Sequence, residues 1–268
     1  VSVIDLPTDA EPVRIIHGDC LDVLRSLPDG CVDAVVTDPP YSSGGTMRSD
    51  RVNQSVAAKY VQTDSVRFAG QGFSGDNRDQ RSWAYWCQLW LSECLRITKP
   101  GGYALVFADW RQLPTLTDAF QAGGYVWRGL ISWDKGPASR APHKGYFRHQ
   151  CEYAVWGTNG PLDVPEVDGV HDGPWPGSIT VPVLQDDKHH ATGKPTALMR
   201  KLAACCPPNG LILDPFAGSG TTGVAAICEG RRAILIEREA AYVDIARRRC
   251  REAMGAGLLA GLTPEVPA

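Results

Sequence analysis

The chain has 268 residues, 43% apolar and 21% charged, enough for one large domain with a buried core. A formal net charge of −3 excludes binding to polyanions by bulk charge alone. No apolar run approaches the ~20 residues that span a bilayer, so a soluble protein with no membrane partner is expected.

The polar stretch Val1–Arg14 has neither the basic start nor the apolar run of a secretory leader, and an intracellular protein is expected. Nine cysteines are present, but no C-x-x-C pair occurs. Several lie in apolar helical patterns, which suits reduced core thiols and no metal site. Charge is uneven along the chain. Arg128, Lys135, Arg140, His143, Lys144, Arg148 and His149 stand against one acid, Asp134, which predicts a local basic face, while acids dominate from Asp163 to Asp187.

In chain order, Leu21–Leu27 reads as a short helix, and Val32–Thr37 as a buried strand stopped by Asp38-Pro39-Pro40. Residues 42–80 are rich in Gly, Ser, Asn, Asp and Arg and read as a long functional loop. An amphipathic helix over Ser82–Thr98 is stopped by Lys99-Pro100-Gly101-Gly102. The strand Tyr103–Ala108, the helix Arg111–Ala122 and the strands Tyr125–Trp133 and Cys151–Trp156 follow. Asn159–His190 is expected to be irregular. A helix spans Pro195–Cys206, then the strand Leu211–Leu213, a helix, the strand Ala233–Glu237 and a helix from Glu239 to about Glu252. Residues 254–268 are expected to be a loose tail. Apolar strands alternating with helices imply an α/β, doubly wound, mostly parallel sheet covered on both faces.

The glycine-rich segment Asp214-Pro215-Phe216-Ala217-Gly218-Ser219-Gly220-Thr221-Thr222-Gly223 joins a strand to a helix, and Glu237 ends the next strand about twenty residues on. Glycines allow close backbone approach to a ligand, and the distal acid can accept hydrogen bonds from a ribose diol. A nicotinamide dinucleotide fits this pattern too. Asp214 at the strand end would repel a pyrophosphate and attract an ammonium, which favours S-adenosylmethionine.

Asp38-Pro39-Pro40-Tyr41 ends the other Asp-Pro strand. Adjacent placement of the two strands at a switch point would set Asp38 and Asp214 on opposite sides of one ligand. An exocyclic amine is a weak nucleophile, because its lone pair is delocalised into the ring. The Asp38 carboxylate and the Pro39 carbonyl can accept its two hydrogens and aim the lone pair at a sulfonium methyl. Tyr41 can stack on a base held outside the duplex. No Pro-Cys dipeptide is present to act as a covalent nucleophile.

Gly18-Asp19-Cys20-Leu21, Thr37–Tyr41, Lys194-Pro195, Asp214–Thr222 and Ile236-Glu237, in that order, resemble the β-class (permuted) DNA amino-methyltransferases of the Asp-Pro-Pro-Tyr type. Trp133-Asp134-Lys135 and Glu152-Tyr153 are weaker matches. The resemblance implies a seven-stranded Rossmann-like methyltransferase sheet with circularly permuted motif order. It implies one domain over 1–268, with insertions at about 42–80 and 134–190 as DNA-recognition segments. Asp38, Pro39, Pro40 and Tyr41 are the catalytic group. The S-adenosylmethionine set is Asp19 (near the adenine), Cys20, Lys194 and Pro195 (near the methionine end), Asp214, Pro215, Phe216, Gly218, Ser219, Gly220, Thr221 and Glu237. Asp19 also fits a helix N-cap, and Pro195 a helix start. Asp in the first catalytic position implies methylation of adenine N6 in double-stranded DNA by a cytoplasmic, nucleoid-associated enzyme. A second copy of the chain and a cognate restriction enzyme are compatible partners. The alternatives are an N4-cytosine methyltransferase, a nicotinamide-dependent oxidoreductase and a non-catalytic DNA-binding module.

Overall fold

The two strands that end in Asp-Pro lie side by side in the sheet. The computed structural model describes residues 4–42, 78–137, 139, 144–162, 174–182 and 193–260, with the side chains of 257–260 excepted. Most of the expected 42–80 loop and much of 134–190, Arg140 and His143 included, lie outside the described residues.

The elements are β1 (Val13–His17), α1 (Cys20–Leu24), β2 (Val32–Thr37), α2 (Gln80–Ile97), β3 (Thr98–Ala108), α3 (Leu113–Ala122), β4 (Val126–Asp134), β5 (Cys151–Thr158), β6 (Ser178–Thr180), α4 (Thr196–Ala203), β7 (Leu211–Asp214), α5 (Thr221–Cys228), β8 (Arg232–Glu237) and α6 (Ala240–Ala260). They build one sheet in the order β1-β8-β7-β2-β3-β5-β4-β6. Only β5 runs against its neighbours β3 and β4; every other pairing is parallel. The chain leaves β2 toward β3 and leaves β7 toward β8, so the switch point lies between β2 and β7, where ligands bind in such sheets.

Alternation along the strands sends side chains to two buried layers. Val35, Val106, Leu213 and Ile234 meet Leu24, Trp83, Trp90 and Phe120 from α1, α2 and α3. Ala34, Leu105, Ile212 and Leu235 meet Leu198, Leu202, Ala225 and Cys250 from α4, α5 and α6. Helix α2 begins where the Asp79 carboxylate caps the amides of Arg81 and Ser82 at 3.1 and 2.9 Å.

The sheet has eight strands among the described residues, where seven were expected. Two of the eight, β1 and β6, escaped the sequence reading. β1 overlaps a stretch read as polar, yet it pairs in parallel with β8 from Val13↔Ala233 to His17↔Glu237. β6 has three residues, too few to show a period, and is recruited by main-chain pairing to β4. The Lys99–Gly102 turn does not separate α2 from β3. The strand begins at Thr98, pairs with Val32, shifts register, and resumes at Tyr103. Helix α6 continues to Ala260, through the start of the expected loose tail. All nine cysteines are free, and among the described residues no helix is long and apolar enough to cross a membrane.

Candidate active site

Parallel strands deliver their carboxyl ends to one edge, and antiparallel β5 delivers its amino end there. From β1 outward that edge carries Asp19, Glu237, Asp214, Asp38, Asp109, Glu152 and Asp134. An edge so rich in carboxylates disfavours phosphate and suits hydroxyls and ammonium groups.

At the switch point a chain of alternating charges crosses from β2 to β4. The Tyr41 hydroxyl donates to Asp38 Oδ1. Lys194 Nζ donates to Asp38 Oδ2 at 2.6 Å and to the Tyr41 hydroxyl at 3.0 Å. It also lies 3.3 Å from Glu152 Oε2, while Lys135 Nζ holds Glu152 Oε1 at 3.2 Å. The Lys194 side chain is only 5% exposed and lies 5.0 Å from the centroid of the Phe107 ring. Burial pushes the Asp38 carboxyl above its ordinary range, and Lys194 offsets only part of that. Burial alone would lower Lys194, but Asp38 and Glu152 reverse the effect and hold the ammonium above its ordinary value. Burial would raise Glu152, but Lys194 and Lys135 bring it below the usual range. Burial, then the charges of Asp38 and Glu152, push the Tyr41 phenol well up.

The tetrapeptide is pinned from outside. Trp83 Nε1 donates to the Pro40 carbonyl at 2.7 Å, and Gln112 Nε2 to the Tyr41 carbonyl at 2.9 Å. The Pro39 carbonyl has no hydrogen-bond partner among the described residues. Gln112 also closes a turn with Asp109. The neighbouring Trp110 ring, half exposed, stacks on His149 at 6.2 Å and lies under the Arg111 guanidinium. Beside His149 project Lys144, Tyr146, Phe147 and Arg148, all exposed, with Phe147 at 96%. An aromatic and basic rim therefore borders the Asp38–Tyr41 tetrapeptide.

The glycine loop is built differently from the sequence reading. Asp214 is 3% exposed, and its carboxylate accepts from Thr37 Oγ1 at 2.6 Å, the Phe216 amide at 3.0 Å and the Thr222 hydroxyl. Burial raises its carboxyl to about 6 despite those donors. Gly220 has φ +81°, and a Cβ there would meet Ala246 of α6 at 2.7 Å; one at Gly223 would meet Leu235 at 2.6 Å. These two glycines serve the packing of α5, whereas Gly218 is partly exposed with φ +51°. Its amide donates to Glu237 Oε2 at 2.8 Å, and the Glu239 amide to Oε1 at 2.7 Å. Phe216 packs against Trp86 and Trp90 of α2 at 5.2 and 5.1 Å. Asp19 is indeed the N-cap of α1, accepting from the Leu21 amide at 3.0 Å. Pro195 opens α4, its carbonyl accepting from the Leu198 and Met199 amides. Cys20 is packed in the core, and burial raises its thiol to about 12. Pro215 is buried behind Asp214.

Arg249 went unnoticed in the sequence. It is 6% exposed on α6 and donates to the Ser219 carbonyl at 2.9 Å, Ser219 Oγ at 3.2 Å and Thr221 Oγ1 at 3.0 Å, so it braces the loop from beneath. Its only sequence signal was a helical position shared with buried neighbours, and the run Arg247–Arg249 reads as solvated surface.

The family described as DNA methylase, covering N6 and N4 enzymes, matches residues 32–248. YubD of Escherichia coli strain K12, provisionally named a methylase, is 32% identical over 228 residues, 84% of each chain. The M1.HpyAVI–SAM complex superposes with TM-score 0.61 at 23% identity, over 88% of this chain and 98% of that one. The cytosine-N4-specific PvuII DNA methyltransferase gives 0.64 at 18% identity, over 89% and 86%. At these identities the two structural likenesses speak for the fold.

Proposed function

The chain belongs to the DNA methylase family of N6 and N4 enzymes, and from that premise we propose that it methylates N6 of an adenine swung out of double-stranded DNA. The motif order, with the catalytic tetrapeptide before the glycine loop, is the permuted arrangement. The family draws its methyl group from S-adenosylmethionine, which supplies an electrophilic carbon on a sulfonium. The residues fit that group. Glu237 accepts the Gly218 and Glu239 amides, with the Arg238 amide also bonded, and a carboxylate's roughly four acceptor sites leave room for a ribose hydroxyl. Asp19 Oδ1 caps α1, and the side chain remains 42% exposed beside Glu237 on the adjacent strand. The acid-lined edge suits a ligand with a diol and an ammonium but no phosphate, and this argues against the nicotinamide alternative.

The observation that carries the reading is the pair of acceptors at the switch point, the Asp38 carboxylate and the uncommitted Pro39 carbonyl. Together they can take both hydrogens of an amino group and favour its pyramidal, nucleophilic form. Asp in the first position supports adenine. The rim of Trp110, Arg111, Lys144, Tyr146, Phe147 and Arg148 suits a duplex opened at one base, since cations meet phosphates and rings meet unstacked bases.

The deciding experiment incubates the protein with duplex DNA and labelled S-adenosylmethionine and identifies the modified nucleoside by mass spectrometry. N6-methyladenine is expected. N4-methylcytosine would move the assignment to the other base, and an unmodified duplex would overturn the reading.

A further inference from the structure

Lys194 raises a difficulty for amine methylation. In the transfer the target amine's lone pair forms the new N–C bond, and the C–S bond breaks with its electron pair left on sulfur. The nitrogen then carries positive charge until it releases a proton to water. An ammonium held 2.6 Å from Asp38 would oppose that growing charge if it stood alone. It does not stand alone. Glu152, projecting from β5, places Oε2 3.3 Å from the same ammonium, and Lys135 anchors its other oxygen at 3.2 Å. The four charges alternate and sum to zero. Among the described residues Glu152 makes no hydrogen bond to Asp38 or Tyr41; it touches Lys194 and Lys135, and it reaches Asp38 through Lys194 and through its charge.

We propose that Glu152 is a positioning residue for methyl transfer, cancelling the Lys194 charge beside the reacting amine while Lys194 stays bonded to Asp38. This rests on the methyltransferase reading above. Lys194, which the resemblance placed near the methionine end of the cofactor, donates to the Asp38 carboxylate. Among the described residues, the charged and titratable groups facing Asp38 are Lys194 ahead of α4, Tyr41 on its own loop, Glu152 from β5 and Asp214 from β7, with Asp109 after β3 acting on Tyr41. Removing the Glu152 charge removes a repulsion that holds Asp38 up, so the acid limb of the rate profile moves to lower pH. The plateau rate falls as well, because the Lys194 charge is no longer cancelled. A residue that merely supported the fold would lower the rate without moving the limb.

The test is single-turnover methylation by E152Q across pH, at saturating cofactor and duplex and at a temperature where melting shows the variant folded. A loss of about tenfold or more at the plateau is expected, with an acid limb shifted downward and cofactor affinity by calorimetry within about twofold of wild type. E152D, which keeps the charge, should recover part of the rate and return the limb to its wild-type position. A plateau rate within about twofold of wild type, an unmoved limb in E152Q, or a limb still shifted in E152D would each overturn the proposal. A wild-type enzyme that leaves the duplex unmodified would instead overturn the underlying methyltransferase reading.

Discussion

Thr37 Oγ1 donates to Asp214 Oδ1 at 2.6 Å, joining the last residues of β2 and β7 across the switch point. This bond sets the Asp38–Tyr41 loop and the glycine loop at a fixed spacing, because Asp38 follows Thr37 and Pro215 follows Asp214. Losing the donor strands part of a buried carboxylate. Thr37→Val is therefore expected to destabilise the fold by about 1–3 kcal/mol, measured by urea denaturation. A midpoint equal to wild type would show that the bond contributes nothing.

Asp214 also predicts a pH dependence. Its carboxyl is raised from 3.8 to about 6 in the folded chain, first by burial. Between those values the folded form holds a proton that the unfolded form has lost. The stability this group contributes is greatest below the unfolded value and falls as pH rises through the folded one. The full span is on the order of 2–3 kcal/mol. Asp214→Asn has no such proton, so the stability of wild type relative to this variant should decline as pH goes from about 4 to about 7. A constant difference across that window would contradict the buried, raised carboxyl.

The adjacency of these two aspartates was legible in the sequence because each ends an apolar strand and precedes proline. The partners of Asp214 were not. The sequence displays a carboxylate at a strand end but not the hydroxyls of Thr37 and Thr222 that consume it, so Asp214 read as a ligand group. Gly220 and Gly223 read as ligand approach for the same reason, since the partners that require them, Ala246 and Leu235, are fixed only by how α6 and β8 pack. Glu152 and Lys194 are 42 positions apart by their numbering, and no local pattern announces an ion pair at that distance. Arg249 was not singled out, because periodicity cannot distinguish a solvated cation from one buried under a loop. The helices, the central strands and the acid at the end of β8 were readable, because each rests on local periodicity or a local stop.

Glu237 is expected to bind the cofactor ribose while also holding the Gly218 and Glu239 amides. Glu237→Gln keeps the shape and an acceptor but loses the charge. It should weaken S-adenosylmethionine binding by about 1–3 kcal/mol in calorimetry. Glu237→Ala releases both amides and should also lower the melting temperature. Unchanged affinity in both variants would remove Glu237 from the cofactor site.

Lys135 is engaged with Glu152, so the phosphate-facing cations are better sought among exposed residues of the rim. Lys144 and Arg148 flank Phe147 there. Changing both to Gln should reduce the slope of log affinity against log salt by about 1–2, as expected for two lost phosphate contacts. An unaltered slope, measured by fluorescence anisotropy on a short duplex, would place the DNA elsewhere.

The last prediction separates the work of Asp38 from that of Tyr41. Asp38→Ala removes the charged acceptor and should slow methyl transfer by about 10²–10³, with cofactor affinity retained because the Glu237 end is untouched. From the sequence, Tyr41 was a stacking ring. In the structure its hydroxyl donates to Asp38 and accepts from Lys194. Tyr41→Phe keeps the ring but frees one Asp38 oxygen and loosens the ammonium, a loss of one or two buried hydrogen bonds. A fall of about 5–30-fold in the single-turnover rate follows from about 1–2 kcal/mol. Tyr41→Ala loses the ring as well, and base stacking is worth about 1–3 kcal/mol more. That extra part should be recovered in part on a mismatched target, which is cheaper to open, whereas the Tyr41→Phe deficit should be the same on matched and mismatched DNA. A Tyr41→Phe enzyme as fast as wild type would return Tyr41 to a purely stacking role. A Tyr41→Phe deficit that disappears on the mismatch would assign the hydroxyl to base capture instead of to the Asp38 carboxylate.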